Sequence, residues 1–293
     1  MDKGQDISAN QNDYEDLRKA VDCLQTESLT VLISSAIGSL ILKPGAKALP
    51  KWAKAKLTQI AHKALISALA GATFTMRDGP GTAASTKVHK ALTGVSGAAF
   101  GVFGLPGALL EVPVTTTLTL RAIADVARSE GFDVLSPAVR IECASVLALG
   151  ANTPNDDDAF EGYFAARSSL AHVAKKAAEE LAAEATKRAA GEATKLAKGI
   201  TTDKAGSWIA QYVAQILEIF RISLTSKTAA LIIPVLGAAS AATLNILFTN
   251  YYQTIARGHF IVMRLEDKYG RDVVKNAMNV LEQERKRARP TGK

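Results

Sequence analysis

Two long stretches of this chain carry almost no ionisable side chains, and they constrain the fold more than any other feature. The first lies between Lys90 and Arg121, where thirty residues include one ionisable side chain, that of Glu111. The second, residues 228–256, contains no acidic or basic residue and no histidine. Runs of this kind predict either a deeply buried helical core or contact with a lipid bilayer.

Both stretches have the character of helices rather than strands. Few runs in the chain alternate between apolar and polar residues with period two, and alanine is abundant. Each stretch also contains a proline, Pro106 near the middle of the first and Pro234 in the first part of the second, and proline ends or kinks a helix. The sequence therefore predicts an all-α fold, a single multi-helix bundle with two apolar helical hairpins broken at Pro106 and Pro234.

The two stretches differ in their capacity to cross a bilayer. The first arm of the first hairpin, residues 91–105, covers roughly 22 Å at about 1.5 Å per residue, against a hydrocarbon core of about 30 Å. We therefore expect a re-entrant or interfacial hairpin there, with a soluble buried core as the alternative. Residues 235–256 are long enough to span, and Tyr251 and Tyr252 near their end are placed as aromatic residues are at membrane interfaces.

Charge is distributed unevenly along the chain, whose formal net charge is +7. Residues 43–63 hold six lysines and no acid, and a helix predicted to begin after Pro50 carries several of them. Its basic, amphipathic pattern suits an anionic membrane surface, although an ordinary solvent-exposed helix gives the same pattern. The candidates for lipid contact on this helix are Lys51, Trp52, Lys54 and Lys56. Nucleic acid is disfavoured as a partner because aromatic residues are not interleaved with the basic ones.

The chain divides into a polar N-terminal arm with a first helix, residues 1–26, and a single helical domain, residues 27–293. An Ala/Glu/Lys-rich segment near residues 160–198 predicts a solvated helical insertion in that domain. The polar, acidic start differs from a secretory signal, and Cys23 and Cys143 lack the spacing of a metal site. We expect a protein of the cytoplasm, peripheral or re-entrant at the inner membrane, with no metal and no cofactor.

Polar residues within or beside the apolar segments are the candidates for a functional site: Glu111, Arg121, Asn245 and Arg264. A buried carboxylate such as Glu111 is either an acid, proton or lipid-headgroup site, or half of an ion pair with Arg121 or another cation. Asn245 would form a hydrogen bond between helices, and Arg264 would pair with an acid or a phosphate. Catalytic residues cannot be assigned, because no nucleophile, phosphate-loop or metal motif is complete.

Several short motifs, taken in order, resemble the EcsC family of bacterial proteins. They are Gly104-Leu105-Pro106-Gly107, Pro113, Leu120-Arg121-Ala122-Ile123, Gly131-Phe132-Asp133, Pro137, Arg140, the IPVLGA run at 233–238, Asn245, Arg264-Leu265-Glu266 and Tyr269-Gly270. The likeness covers roughly residues 88–275. It implies a helical fold and a link to transport or secretion, since the family name comes from an association with an ABC transporter system. No catalytic residue carries over, because the family's molecular function is generally unassigned.

These observations favour a membrane-associated accessory or interaction protein without an assigned biochemical activity. Its expected partners are an anionic membrane surface and a membrane transport complex, and homo-oligomerisation is left open. The alternative is a hydrolase or lipid-handling enzyme with an apolar cavity around Glu111, lined by Arg121 or Arg264.

Overall fold

The computed structural model describes residues 6–37, 49–71, 79–101, 103–150, 159–189, 207–231 and 237–288. Within these ranges the chain forms helices and no strands, which confirms the all-α prediction. A 3-10 turn at Ile7–Ala9 precedes α1 (Gln11–Leu24), α2 (Leu29–Ile37), α3 (Lys51–Gly71), α4 (Thr86–Gly101), α5 (Gly104–Ser129), α6 (Pro137–Leu149), α7 (Ala159–Ala189), α8 (Trp208–Leu231), α9 (Gly237–Tyr269) and α10 (Arg271–Ala288).

The longest helix, α9, lies at the centre of the bundle and contacts α1, α4 and α5 most extensively. Its buried aromatic residues, among them Phe248, Tyr252 and Phe260, supply much of the core. The first helix also belongs to this core, because Leu17, Val21 and Leu24 on one face of α1 are buried. Helical spacing of these apolar residues explains why α1 folds with the bundle although the start of the chain is polar.

The first hairpin, formed by α4 and α5, turns three residues before Pro106. The chain reverses at Phe103 and Gly104, and Gly104 adopts a φ of +59°, which favours glycine. Pro106 then lies in the first turn of α5, where its missing N–H has no intrahelical partner to lose. The predicted break at Pro234 falls outside the described residues, between the end of α8 and the start of α9.

Glycines let α4 approach α9 closely. A Cβ atom at Gly97 would lie 2.6 Å from the carbonyl oxygen of Ala241, a distance that no side chain could occupy without moving a helix. A Cβ atom at Gly94 would lie 3.1 Å from the Ile246 side chain. The contact between these helices therefore depends on small residues in α4.

Tyr251 and Tyr252 lie in the protein core, so the prediction that they mark a membrane interface is wrong. The hydroxyl of Tyr251 donates a hydrogen bond to the carbonyl oxygen of Gly150, and the Tyr252 ring packs against Phe220 and Phe248. Among the described residues, no helix combines the length and the apolar character needed to cross a membrane.

Candidate functional site

A buried carboxylate, that of Glu111, is the centre of a polar cluster between three helices. Its side chain is 1% exposed. Its Oε1 atom accepts hydrogen bonds from Thr115 Oγ1 (2.8 Å), one turn further along α5, and from Lys227 Nζ (3.1 Å) in α8. The amide nitrogen of Asn245, in α9, is the third donor to the same oxygen. The cluster therefore joins α5, α8 and α9 through one acceptor atom.

The same cluster extends into α4. Asn245 Nδ2 also donates to the carbonyl oxygen of Thr93 (2.8 Å), and Thr249 Oγ1 donates to Thr93 Oγ1 (3.0 Å). Thr93 in turn donates to the carbonyl oxygen of His89 (3.0 Å). Hydrogen bonds between side chains on neighbouring helices fix the register of those helices, because each bond requires one axial position.

Lys227 is an unusual residue to find in a core, and two contacts stabilise its charge. Its Nζ atom lies next to the Glu111 carboxylate and 5.0 Å from the centre of the Phe248 ring, within the range of a cation–π interaction. Burial lowers the pKa of Lys227, and the Glu111 carboxylate opposes that shift. The arrangement is a charge-balanced ion pair enclosed by protein.

The structure brings together two of the four predicted site residues, Glu111 and Asn245. Arg121 follows Glu111 by ten residues of α5, a rise of roughly 15 Å, and is half-buried. Arg264 lies far along α9 from Asn245 and pairs with Asp16 (2.7 Å) and Glu130 (3.6 Å). The two arginines therefore do not form one site with Glu111.

Sequence reasoning missed the cation that pairs with Glu111. Lys227 stands immediately before the second uncharged stretch, where it marks only the edge of that segment. Burial of a charged side chain is costly unless an opposite charge lies beside it. We would therefore expect a lysine that borders one uncharged helix to pair with an acid inside another. That signal was present in the sequence, although the pairing of α8 with α5 was not.

The outer surface of the α4–α5 hairpin is apolar. All the exposed residues described within 91–114 are apolar, and we call this set the apolar face: Ala91, Leu92, Val95, Ala99, Phe103, Pro106, Leu110, Pro113 and Val114. Phe103 at the turn is 66% exposed, Val95 is 70% exposed and Leu110 is 68% exposed. Exposed apolar side chains that form one large patch are typical of interaction surfaces, so this face is a candidate for one.

The second uncharged stretch has no comparable surface among its described side chains. The exposed residues there are Thr243, Ile246 and Asn250, two of which are polar, and most of the other described residues are buried. The two segments look alike in sequence, but among the side chains that the structure describes, those of the first form an apolar face and those of the second do not.

The predicted lipid-contact residues lie on the exposed side of α3. Trp52 is 61% exposed, and Lys51, Lys54 and Lys56 are exposed around it. The opposite side of the helix, including Ala53 and Leu57, is buried, and α3 packs against α5. Basic residues therefore stand on a helix adjacent to the hairpin.

Two further clusters of ionisable side chains lie elsewhere in the bundle, one around the buried Asp125 and one around the buried His259 ring. Asp125 accepts hydrogen bonds from the guanidinium of Arg128 (2.5 Å), the backbone N–H of Ser85 (2.5 Å) and the His89 ring (3.2 Å). Burial opposes ionisation of Asp125, but these hydrogen bonds outweigh it and lower its pKa. In the second cluster, His259 lies between Tyr163 (3.0 Å) and Glu142 (3.3 Å).

No group of three histidine, cysteine or carboxylate side chains in the described ranges is arranged to hold a metal ion. The buried clusters pair acids with cations or with a single histidine instead.

Comparison with known proteins gives one match. The sequence model of the EcsC protein family matches residues 15–265, from α1 into the last part of α9. No curated protein and no solved structure matches significantly. The family match includes α1, α2 and α3 as well as the hairpin and Glu111, so it covers more of the N-terminal part than the motifs alone. The chain belongs to the EcsC protein family.

Proposed function

We propose that this protein is a membrane-associated accessory protein that contacts the bilayer through its α4–α5 hairpin. The observation that carries the proposal is the apolar face, in which nine exposed residues of one hairpin include no polar side chain. Transfer of these side chains from water into the apolar part of a bilayer would be favourable by about 25 cal/mol per Å².

The length of the hairpin supports interfacial insertion rather than spanning. Along α4 the apolar face runs from Ala91 to Ala99 and continues at Phe103 in the turn, a distance of roughly 18 Å at 1.5 Å per residue. That distance is comparable with one leaflet, half of a hydrocarbon core of about 30 Å. Lys87 and Lys90 precede the face on α4 and would reach the headgroup region.

The lysines of α3 provide a second, electrostatic contact. Each basic residue near an anionic surface contributes about 1 kcal/mol, and stable peripheral binding generally needs both a charged and an apolar contribution. Lys51, Lys54 and Lys56 would meet anionic headgroups beside the inserted hairpin. The site of action would be the cytoplasmic face of the inner membrane, next to a transport or secretion complex, as the family resemblance implies.

The enzyme alternative is not supported by the surroundings of Glu111. A hydrolase would need this carboxylate at a cavity that admits a substrate, whereas its Oε1 atom already accepts three hydrogen bonds and the side chain is 1% exposed. We therefore interpret Glu111 as part of the buried ion pair.

Flotation with lipid vesicles tests the proposal. The double substitution Val95→Asn/Leu110→Asn changes two exposed residues of the apolar face, so it should leave the fold intact while weakening binding to phosphatidylglycerol-containing vesicles by at least about tenfold. The matched control is Ile222→Asn/Val280→Asn, which changes two residues of similar exposure on α8 and α10. Equal binding by the two variants would refute the role of the hairpin.

The electrostatic part of the proposal has its own test. Replacement of Lys51, Lys54 and Lys56 by glutamine should reduce binding to anionic vesicles at low salt and have little effect at 0.5 M salt, where exposed charges are screened within about 5 Å. Wild-type protein that fails to float with any vesicle would overturn the membrane function itself.

A further inference from the structure

Polar residues repeat with helical spacing along the facing sides of α4, α5 and α9. We call this set the polar seam: His89, Thr93 and Ser96 in α4, Glu111, Thr115 and Thr119 in α5, and Asn245, Thr249 and Gln253 in α9. All nine are buried, with at most 9% of each residue exposed. Burial of such a row of polar side chains between three helices costs free energy unless their polar atoms form hydrogen bonds.

Five polar atoms of the seam have no hydrogen-bond partner within the described part of the chain. They are His89 Nδ1, Ser96 Oγ, Thr119 Oγ1, Asn245 Oδ1 and Gln253 Oε1. Buried polar atoms in native proteins are nearly always satisfied by protein or by an internal ligand, so a concentration of unpaired atoms in one seam points to a ligand.

The chemistry of these atoms defines what the ligand must supply. Asn245 directs its amide nitrogen to the Glu111 carboxylate and the Thr93 carbonyl oxygen, both acceptors, so its Oδ1 is fixed as an unpaired acceptor. Gln253 uses its amide nitrogen in the same way, on the carbonyl oxygen of Thr86 (3.3 Å). The seam therefore needs a small donor of hydrogen bonds.

His89 adds a third unpaired atom. Its Nε2 atom lies 3.2 Å from the Asp125 carboxylate, which leaves Nδ1 as the ring nitrogen without a partner, and water can either donate to that atom or accept from it. Ser96 and Thr119 supply hydroxyls, which can both donate and accept.

Charge balance distinguishes between the possible donors. Glu111 is neutralised by Lys227, and Asp125 is neutralised by Arg128, so the seam retains no net negative charge that would hold a cation. A neutral molecule of the size of water meets both requirements, because it donates two hydrogen bonds and carries no charge.

We propose that internal water molecules bind in the polar seam at two levels. Thr93, which is bonded to both Asn245 and Thr249, lies between the levels. At the first level, water would bridge Ser96 and Asn245 beside the Glu111–Lys227 pair. One to two turns away, a second water would bridge His89, Thr119 and Gln253, which matches the three partners that a buried water typically has.

The substitution Thr119→Val tests the second level in solution, through the direction of a stability change. Replacement of an unpaired hydroxyl by a methyl group of the same size stabilises a core that contains no water. The same replacement destabilises the protein if the hydroxyl binds an internal water, because that water then loses a partner. We expect Thr119→Val to lower the midpoint of thermal unfolding by roughly 2–4 °C. Thr117→Val makes the same exchange at a half-buried position of α5 and serves as the control. An unchanged or higher midpoint in Thr119→Val relative to this control would overturn the proposal.

A crystal structure at about 1.8 Å resolution tests both levels directly. We expect water density within about 3.2 Å of Asn245 Oδ1 and Gln253 Oε1. Absence of that density at either level would refute the proposal there. An anomalous signal in the seam after soaking with rubidium ions would also refute it, because the site would then hold a cation.

Discussion

The ammonium of Lys227 lies 3.1 Å from the carboxylate of Glu111, although the two residues are 116 positions apart and neither side chain is more than 5% exposed. Each charge is buried only because the other is present, since the desolvation of one unpaired ion would cost several kcal/mol. The pair ties α8 to α5, and the Asn245 amide extends the connection to α9. This contact therefore holds the hairpin against the rest of the bundle.

Removal of one partner should be far more damaging than removal of both. We expect Lys227→Met to lower the free energy of unfolding by about 3–5 kcal/mol, because Glu111 would remain buried without a cation. The double variant Glu111→Gln/Lys227→Met should recover a large part of that loss. Chemical denaturation measures both changes. Lys176→Met removes an exposed lysine that is also ion-paired, and it should cost no more than about 1 kcal/mol. Similar losses in the two lysine variants would contradict the role assigned to the buried pair.

A methyl group at Gly97 should separate α4 from α9. The added Cβ would lie within 2.6 Å of the carbonyl oxygen of Ala241, so we expect Gly97→Ala to lower the free energy of unfolding by about 1–3 kcal/mol. A Cβ atom added at Gly79 would meet no other atom within 4 Å, so Gly79→Ala should change stability by less than about 0.5 kcal/mol. Equal stability of the two variants would mean that α4 and α9 are not packed this closely.

Low pH should decrease the free energy of unfolding, because His259 is protonated more readily in the unfolded chain. Burial lowers the pKa of His259 from its ordinary value of 6.5, while the neighbouring Glu142 carboxylate opposes that shift. The unfolded chain therefore binds a proton near pH 6.5 that the folded chain does not, and stability should fall as the pH decreases below 6.5. The slope from this residue is at most about 1.4 kcal/mol per pH unit.

The measurement for this prediction is chemical denaturation between pH 4.5 and pH 7.5. The variant His259→Gln should show a shallower loss of stability between pH 6.5 and pH 4.5 than the wild type. The pKa of Glu142 is lowered from 4.5, so the stability that it contributes is lost only at lower pH. Identical pH profiles for the two proteins would rule out a buried neutral His259.

Cys143 should be unreactive in the folded protein. Its side chain is buried, and that burial strongly raises the pKa of its thiol, so almost no thiolate is present at neutral pH. A Cys23→Ser variant, which retains Cys143 alone, should react with an aromatic disulfide reagent only after denaturation. Rapid labelling of this variant under native conditions would show that α6 is more open than the structure indicates.

The helical class, the family and the two uncharged stretches could all be identified from the amino-acid sequence. Helical periodicity and the absence of alternating runs are local properties of the sequence, so they can be recognised without knowledge of how the helices pack. Glu111 and Asn245 could also be selected in advance, because a polar residue inside an apolar helix has to find a buried partner.

The partner of each buried polar residue, and which of the described side chains are exposed, depend on how the helices pack together. The contact of Lys227 with Glu111, rather than of Arg121 or Arg264, depends on how α8 packs against α5, and no spacing within one helix specifies that. Periodicity likewise shows that a helix has an apolar face but not what covers it. For this reason Tyr251 and Tyr252 lie in the core, whereas Leu92 and Val95, from a segment of the same composition, face outward.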